Sequence, residues 1–196
     1  MPFFESLESL LINFGYVALF LIVFAESGLF FGFFLPGDSL LFTAGLLASK
    51  GFFDLNLILF GTIVSAILGD QVGYWMGKKF GRAFFVRPND FFRDPKHVVR
   101  AEEFYRKHGK KAIFLARFFP VVRTFAPIAA GIGNMSYVDF VKYNVLGGFV
   151  WCCVFILGGY FVGSILPDSE QYFTLIIFAI IFVSLIPAVK EFLLRK

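Results

Sequence analysis

The feature that most constrains this chain is a run of 25 residues without a single charge, Tyr143 to Pro167. A second such run, Gln171 to Val189, is 19 residues long, and a third, Ser9 to Ala25, is 17. About 20 apolar residues cross the hydrocarbon core of a bilayer as a helix. The first two runs therefore predict spanning helices, and the third just reaches that length. Leu55 to Gly77 is long enough to span if Asp70 is tolerated inside it. Composition points the same way. The chain is 58% hydrophobic with 31 Phe in 196 residues, against roughly 45–50% apolar in soluble domains. A domain of this size has too little interior to hide that much apolar surface from water. Lipid must act as part of the solvent, a nucleic-acid partner is not expected, and the length suits one transmembrane domain over residues 1–196.

The N-terminus, Met1-Pro2-Phe3-Phe4-Glu5, lacks the positive stretch of a secretory signal, and no small-residue cleavage site follows. The first hydrophobic segment is expected to be retained. The adjacent Cys152 and Cys153 lie inside an apolar run and read as small packing residues. No Cys/His spacing fits a zinc site, so neither metal nor cofactor is expected.

Two further apolar regions are broken. Residues 27–49 are interrupted at Pro36-Gly37-Asp38, and residues 112–135 at Arg117, Pro120, Arg123 and Pro127. Proline removes a backbone donor and breaks helices. A broken backbone at membrane depth survives only where protein or a wet cavity satisfies its polar groups. Both regions read as re-entrant hairpins or discontinuous helices. Each has an apolar approach, a proline-containing break with charge and a small-residue ending, Ala44-Gly45 in one and Ala129-Ala130-Gly131 in the other. Paired interrupted segments point to a transporter's binding site. The organisation is a first half over 9–77, a basic loop over 78–111 and a second half over 112–189. The fold class is an all-α integral membrane bundle with two opposed re-entrant hairpins in a pseudo-repeat.

The loop Lys78 to Lys111 holds eleven of the 18 Lys and Arg against four of the 14 Asp and Glu, a net charge of +7. The positive-inside bias places it in the cytoplasm. Asp94-Pro95 reads as a helix start and Gly109 as a stop, with Ala101, Phe104, Tyr105 and His108 as an apolar stripe. An amphipathic helix at the cytoplasmic membrane surface is expected. Lys190, Arg195 and Lys196 place the C-terminus on the same side, and the N-terminus follows by counting spans. Oligomeric state stays open: Gly147-Gly148, Gly158-Gly159 and Gly163 permit close helix contact, with internal packing the favoured use.

Glu26, Asp38, Asp70, Arg117 and Arg123 all lie within or beside apolar stretches. An isolated charge at the centre of a membrane helix costs about 2.5–3.5 kcal/mol on insertion scales. Acids in one broken segment and arginines in the other are expected to meet in one polar cavity, close to neutral when empty. Bland alternatives exist for each acid. Glu26 can mark an interfacial helix end, Asp38 can cap a helix beginning at Ser39, and Asp70 can be a packing partner. Guanidinium groups stay charged and bind phosphate in bidentate fashion, helix N-termini attract anions, and carboxylates in apolar sites take up protons near neutrality. Arg117 and Arg123, with the breaks at Pro36, Gly37 and Pro120, are the candidate binding residues for an anionic headgroup. Glu26, Asp38 and, more weakly, Asp70 are the candidate proton carriers. The only histidines, His97 and His108, lie in the polar loop, and no Gly-x-Ser-x-Gly is present, so a membrane enzyme is not expected.

Residues Glu26-Ser-Gly-Leu, Phe34-Leu-Pro-Gly-Asp-Ser-Leu-Leu41 and Arg117-Phe-Phe-Pro-Val-Val-Arg123-Thr-Phe carry a resemblance. Pro127, Ala130-Gly131, Asn144, Gly147-Gly148 and Trp151 extend it. Over roughly Leu10 to Phe161 the chain resembles the DedA family of membrane proteins, related to the VTT-domain lipid scramblases. The resemblance implies facing re-entrant hairpins, with essential acids at Glu26 and Asp38 and essential arginines at Arg117 and Arg123. It also implies proton-motive-force-dependent lipid transport across a bacterial inner membrane, including undecaprenyl phosphate and phospholipids. Links in the family to membrane potential, alkaline pH and cationic drugs leave proton-coupled exchange of cations or drugs as the alternative.

Overall fold

The computed structural model describes residues 2–28, 37–81 and 111–165. The expected amphipathic helix, the span Gln171–Val189 and Pro36 lie outside them. All regular structure among the described residues is helical: α1 (Pro2–Gly28), α2 (Gly37–Ser49), α3 (Leu55–Met76), a π-helical turn (Gly77–Gly81), α4 (Lys111–Ala116), α5 (Pro120–Ile132) and α6 (Tyr137–Ile165).

Among the described residues two stretches are long and apolar enough to cross a membrane, Leu55–Phe80 and Tyr137–Ile165. On α3 the exposed residues Leu57, Phe60, Val64, Leu68, Val72 and Trp75 recur every three or four positions. That spacing makes one continuous apolar stripe along a helix. Ile58, Thr62, Ala66, Asp70 and Tyr74, on the other face, are buried. An outward apolar stripe over an inward face bearing Thr and Asp is the pattern of a helix whose outer solvent is lipid. The single hydroxyl at Thr62 is satisfied within the helix by the Ile58 carbonyl at 2.6 Å.

Several expected boundaries are corrected. The helix expected to end at Ala25 runs on to Gly28, so Glu26 and Ser27 sit in its last turn rather than at a break. Its one proline, Pro2, occupies the first turn, where the missing N–H costs nothing. α2 starts at Gly37 and not at Ser39, which places Asp38 inside the first turn, still a favourable position for an acid near a helix N-terminus. The second broken segment is observed as two helices separated at residues 117–119. Phe119, before Pro120, is extended (φ −113°, ψ 109°), as a residue preceding proline prefers. The chain then continues helical through Pro127 instead of breaking there.

The helix starts are locally encoded. Asp54 Oδ1 accepts the Leu57 amide at 2.8 Å to begin α3, and Ser136 Oγ accepts the Asp139 amide at 3.2 Å to begin α6. Asn134, between α5 and α6, takes a left-handed conformation (φ 49°), which Asn tolerates better than most residues.

The described helices form two compact units to which α1, α3 and α6 each contribute residues. One comprises Met1–Ile22, Phe34–Thr62 and Cys152–Lys196. In it α2 and α6 touch backbone to backbone: Gly45 lies against the Ile156 carbonyl and Gly159 against the Phe42 carbonyl, with no room for a Cβ at either. Small residues permit such approaches in membranes, where lipid supplies no hydrophobic drive between helices. Internal packing, the favoured use of Gly159, is thus observed, and Gly163 likewise faces Leu46 and Ser49. The other unit comprises Val23–Phe33 and Ile63–Trp151. Here Gly69 and Gly73 of α3 and Gly77 at the start of the π-helical turn recur every fourth residue. A Cβ on Gly69 would stand 2.5 Å from the Phe24 carbonyl, and one on Gly28 would stand 2.5 Å from the Gly69 carbonyl. Gly77 meets the Ile128 carbonyl and Gly131 the Tyr74 carbonyl. A core of Tyr74, Ile113, Ala116, Ala126, Ala130 and Phe140 fills this unit.

Candidate functional site

Because Gly28 and Gly69 let α1 and α3 meet closely, the last turn of α1 and the middle of α3 lie side by side. Glu26 and Asp70 thereby enter the same unit as the 117–119 turn and the start of α5, which carry Arg117 and Arg123. Each arginine finds one acid. Arg123 Nη2 donates to Glu26 Oε1, 97 residues away in sequence. Arg117 Nη2 donates to Asp70 Oδ2, 47 residues away. Glu26 is only 1% exposed and Arg117 5%. Charges this deep survive because they neutralise each other; removing one partner from a buried pair costs about 3–5 kcal/mol.

Arg117 has further ties. Its Nη2 lies 3.4 Å from the Ala66 carbonyl and 3.3 Å from Asn144 Oδ1. Asn144 is itself fixed by donating to the Ile67 carbonyl at 3.2 Å. Arg117 Nη1 is buried with no hydrogen-bond partner among the described residues. It rests against Gly148, where a Cβ would come within 2.6 Å. Both guanidiniums lie over the ring of Trp151, Arg123 Cζ at 4.7 Å and Arg117 Cζ at 5.7 Å from its centroid.

Of the residues expected from sequence, the structure brings Glu26, Asp70, Arg117 and Arg123 together. Asp70, the weaker candidate, is the acid that holds Arg117. Asp38 and Gly37 belong to the other unit, where Asp38 is half-buried in α2. Pro120 begins α5 three residues before Arg123. Asn144, Gly148 and Trp151 were not singled out for a role in a site. Their i, i+4, i+7 spacing places a polar, a small and an aromatic residue on one face of α6, the signal that could have found them. Among the described residues no three His, Cys, Asp or Glu side chains are grouped to hold a metal ion.

Apolar helices with outward lipid-facing stripes and arginine–carboxylate pairs at their buried faces define a helical integral membrane protein with an internal charged site. Comparison with known proteins agrees with that class. Residues 35–161 match the VTT domain model. The chain is 46% identical to the protein DedA of Escherichia coli (strain K12), over 92% of this chain and 83% of that protein. It is 43% identical to an uncharacterized membrane protein of Mycobacterium leprae, over 87% of this chain and 76% of that one. The inner membrane protein YqjA of Escherichia coli (strain K12) is 35% identical, over 82% of this chain and 74% of YqjA. No solved structure matches. The chain belongs to the DedA family of VTT-domain membrane proteins.

Proposed function

We propose that this protein is a proton-coupled transporter or flippase for an anionic lipid phosphate, undecaprenyl phosphate or a phospholipid, in a bacterial inner membrane. The observation that carries this reading is the pair of guanidinium groups buried at the inner faces of lipid-exposed helices. One of them, Arg117, keeps a buried N–H that no described residue accepts. Phosphate is the anion whose geometry suits such a fork. Arg117 and Arg123 bind the headgroup, Pro120 shapes the break between them, and Glu26 and Asp70 exchange the compensating proton. Each of the two paired acids already faces a guanidinium, which weighs against exchange of a small cation at the same place. The residue 27–49 and 112–135 segments act as re-entrant halves of one transmembrane domain, with both termini cytoplasmic. Lys78, at the start of the basic stretch, lies over the Tyr74 and Trp75 rings at 5.8 and 5.4 Å, an arrangement that suits the cytoplasmic interface.

The test is reconstitution. Purified protein in liposomes is expected to move a labelled lipid phosphate between leaflets, faster with a proton gradient, and R117Q and R123Q are expected to abolish movement. Transport no better than empty vesicles for every anionic lipid tried rejects the proposal.

A further inference from the structure

The two ion pairs share a neighbour that belongs to neither. Trp151 is 1% exposed, and both guanidinium carbons lie within 6 Å of its ring centroid, Arg123 at 4.7 Å and Arg117 at 5.7 Å. A cation over an indole at that range is attracted by the ring quadrupole, more strongly when water is excluded. Two cations seldom settle near one another in an apolar interior; here each has its own carboxylate, and the same ring faces both. The ring cannot shift without changing its distance to Arg117 and Arg123 together. On the same face of α6, Asn144 ties Arg117 to the α3 backbone and Gly148 leaves the space its guanidinium occupies. Arg117 is therefore held from three sides, while a described contact linking it to Arg123 runs through the indole.

We propose that Trp151 is a positioning residue for both guanidiniums, and that a change at either ion pair is relayed to the other through its ring. This rests on reading the two pairs as the transport site, but it is tested without transport. If a headgroup drew Arg123 away from Glu26, the ring would follow and Arg117 would move on Asp70. One site would then engage as a unit rather than as two independent clasps.

The experiment is NMR of the full chain in detergent micelles with 15N-labelled arginine, the Arg117 and Arg123 side-chain signals being assigned from R117K and R123K. Protons held over an indole ring resonate upfield of ordinary guanidinium positions, and both residues are expected to do so. W151L is expected to return both sets toward ordinary positions, and W151F to keep a smaller displacement. E26Q is expected to move the Arg117 signals and D70N the Arg123 signals, and these cross effects are expected to shrink in W151F and vanish in W151L. W151F, closest in shape, decides the matter if the leucine variant does not fold. Arg117 signals that stay in place in E26Q, or cross effects undiminished in either Trp151 variant, overturn the proposal. A protein that moves no lipid but shows these shifts would reject the transport reading alone.

Discussion

Gly147 and Gly148 are neighbours on α6 whose replacement by alanine should have opposite consequences. Both gain the same intrinsic helix propensity, roughly 1 kcal/mol, so that gain cancels when the two variants are compared. A Cβ on Gly147 meets Arg117 Cδ at 3.5 Å and Phe114 at 3.6 Å, ordinary contacts. A Cβ on Gly148 would stand 2.6 Å from Arg117 Nη1, so the guanidinium must retreat by about 0.8 Å to reach an ordinary 3.4 Å contact. Its bonds to Ala66 and Asn144 are already 3.4 and 3.3 Å long, and a retreat of that size ends at least one of them. A hydrogen bond to a charged group contributes about 1.5–3 kcal/mol. G148A should therefore be about 2 kcal/mol less stable than G147A. Thermal unfolding in detergent measures this, with about 2–4 °C expected per kcal/mol for a chain of this length. G147A should melt at or above the parent temperature and G148A roughly 5 °C below G147A. Lipid transfer should be at least about tenfold slower in G148A, the effect of about 1.4 kcal/mol on a barrier. Equal stability and equal transfer in the two variants would refute the placement of Arg117 against Gly148.

G69A and G77A should each lose about 1–3 kcal/mol, because their new methyl groups meet the Phe24 and Ile128 carbonyls of neighbouring backbones; G158A meets only the Phe42 ring at 3.8 Å and, like G147A, should melt at or above the parent temperature. Y74F removes the 2.6 Å part-buried hydrogen bond from Tyr74 Oη to the Met135 carbonyl and should cost about 0.5–1.5 kcal/mol, the net contribution of such a bond. S136A removes the cap of α6 and should cost about 1 kcal/mol, read from the same melting curves.

Charge within apolar sequence was the legible part of this site. Glu26, Arg117 and Arg123 stand out because charge within or beside apolar sequence is costly in a membrane, and all three are paired. The partner choice was not legible. Asp70 looked secondary because it sits alone in an unbroken span, whereas Asp38 lies near a proline; yet Gly77 against Ile128 and Gly131 against Tyr74 pack α3 and α5 closely, and Asp70, 47 residues from Arg117, pairs with it. Tertiary contact between helices depends on which glycines face one another, and a single sequence does not show that. The breaks were half legible. Pro120 starts a helix as its fixed φ favours, but Pro127 rides within the same helix, since one forfeited backbone bond does not end an otherwise well-packed segment. Trp151 was hidden for another reason: in a run of aromatic and aliphatic residues an indole under two cations looks like any other lipid-compatible side chain.

The pairing itself is tested most directly by four double-mutant cycles on unfolding in detergent, neutralising Glu26 or Asp70 to the amide and Arg117 or Arg123 to Gln. Coupling of several kcal/mol is predicted within Glu26–Arg123 and within Asp70–Arg117, because each single change strands a buried charge that the double change removes. The crossed cycles, Glu26–Arg117 and Asp70–Arg123, should couple less. Crossed couplings as large as the cognate ones, or all four near zero, would contradict the site described.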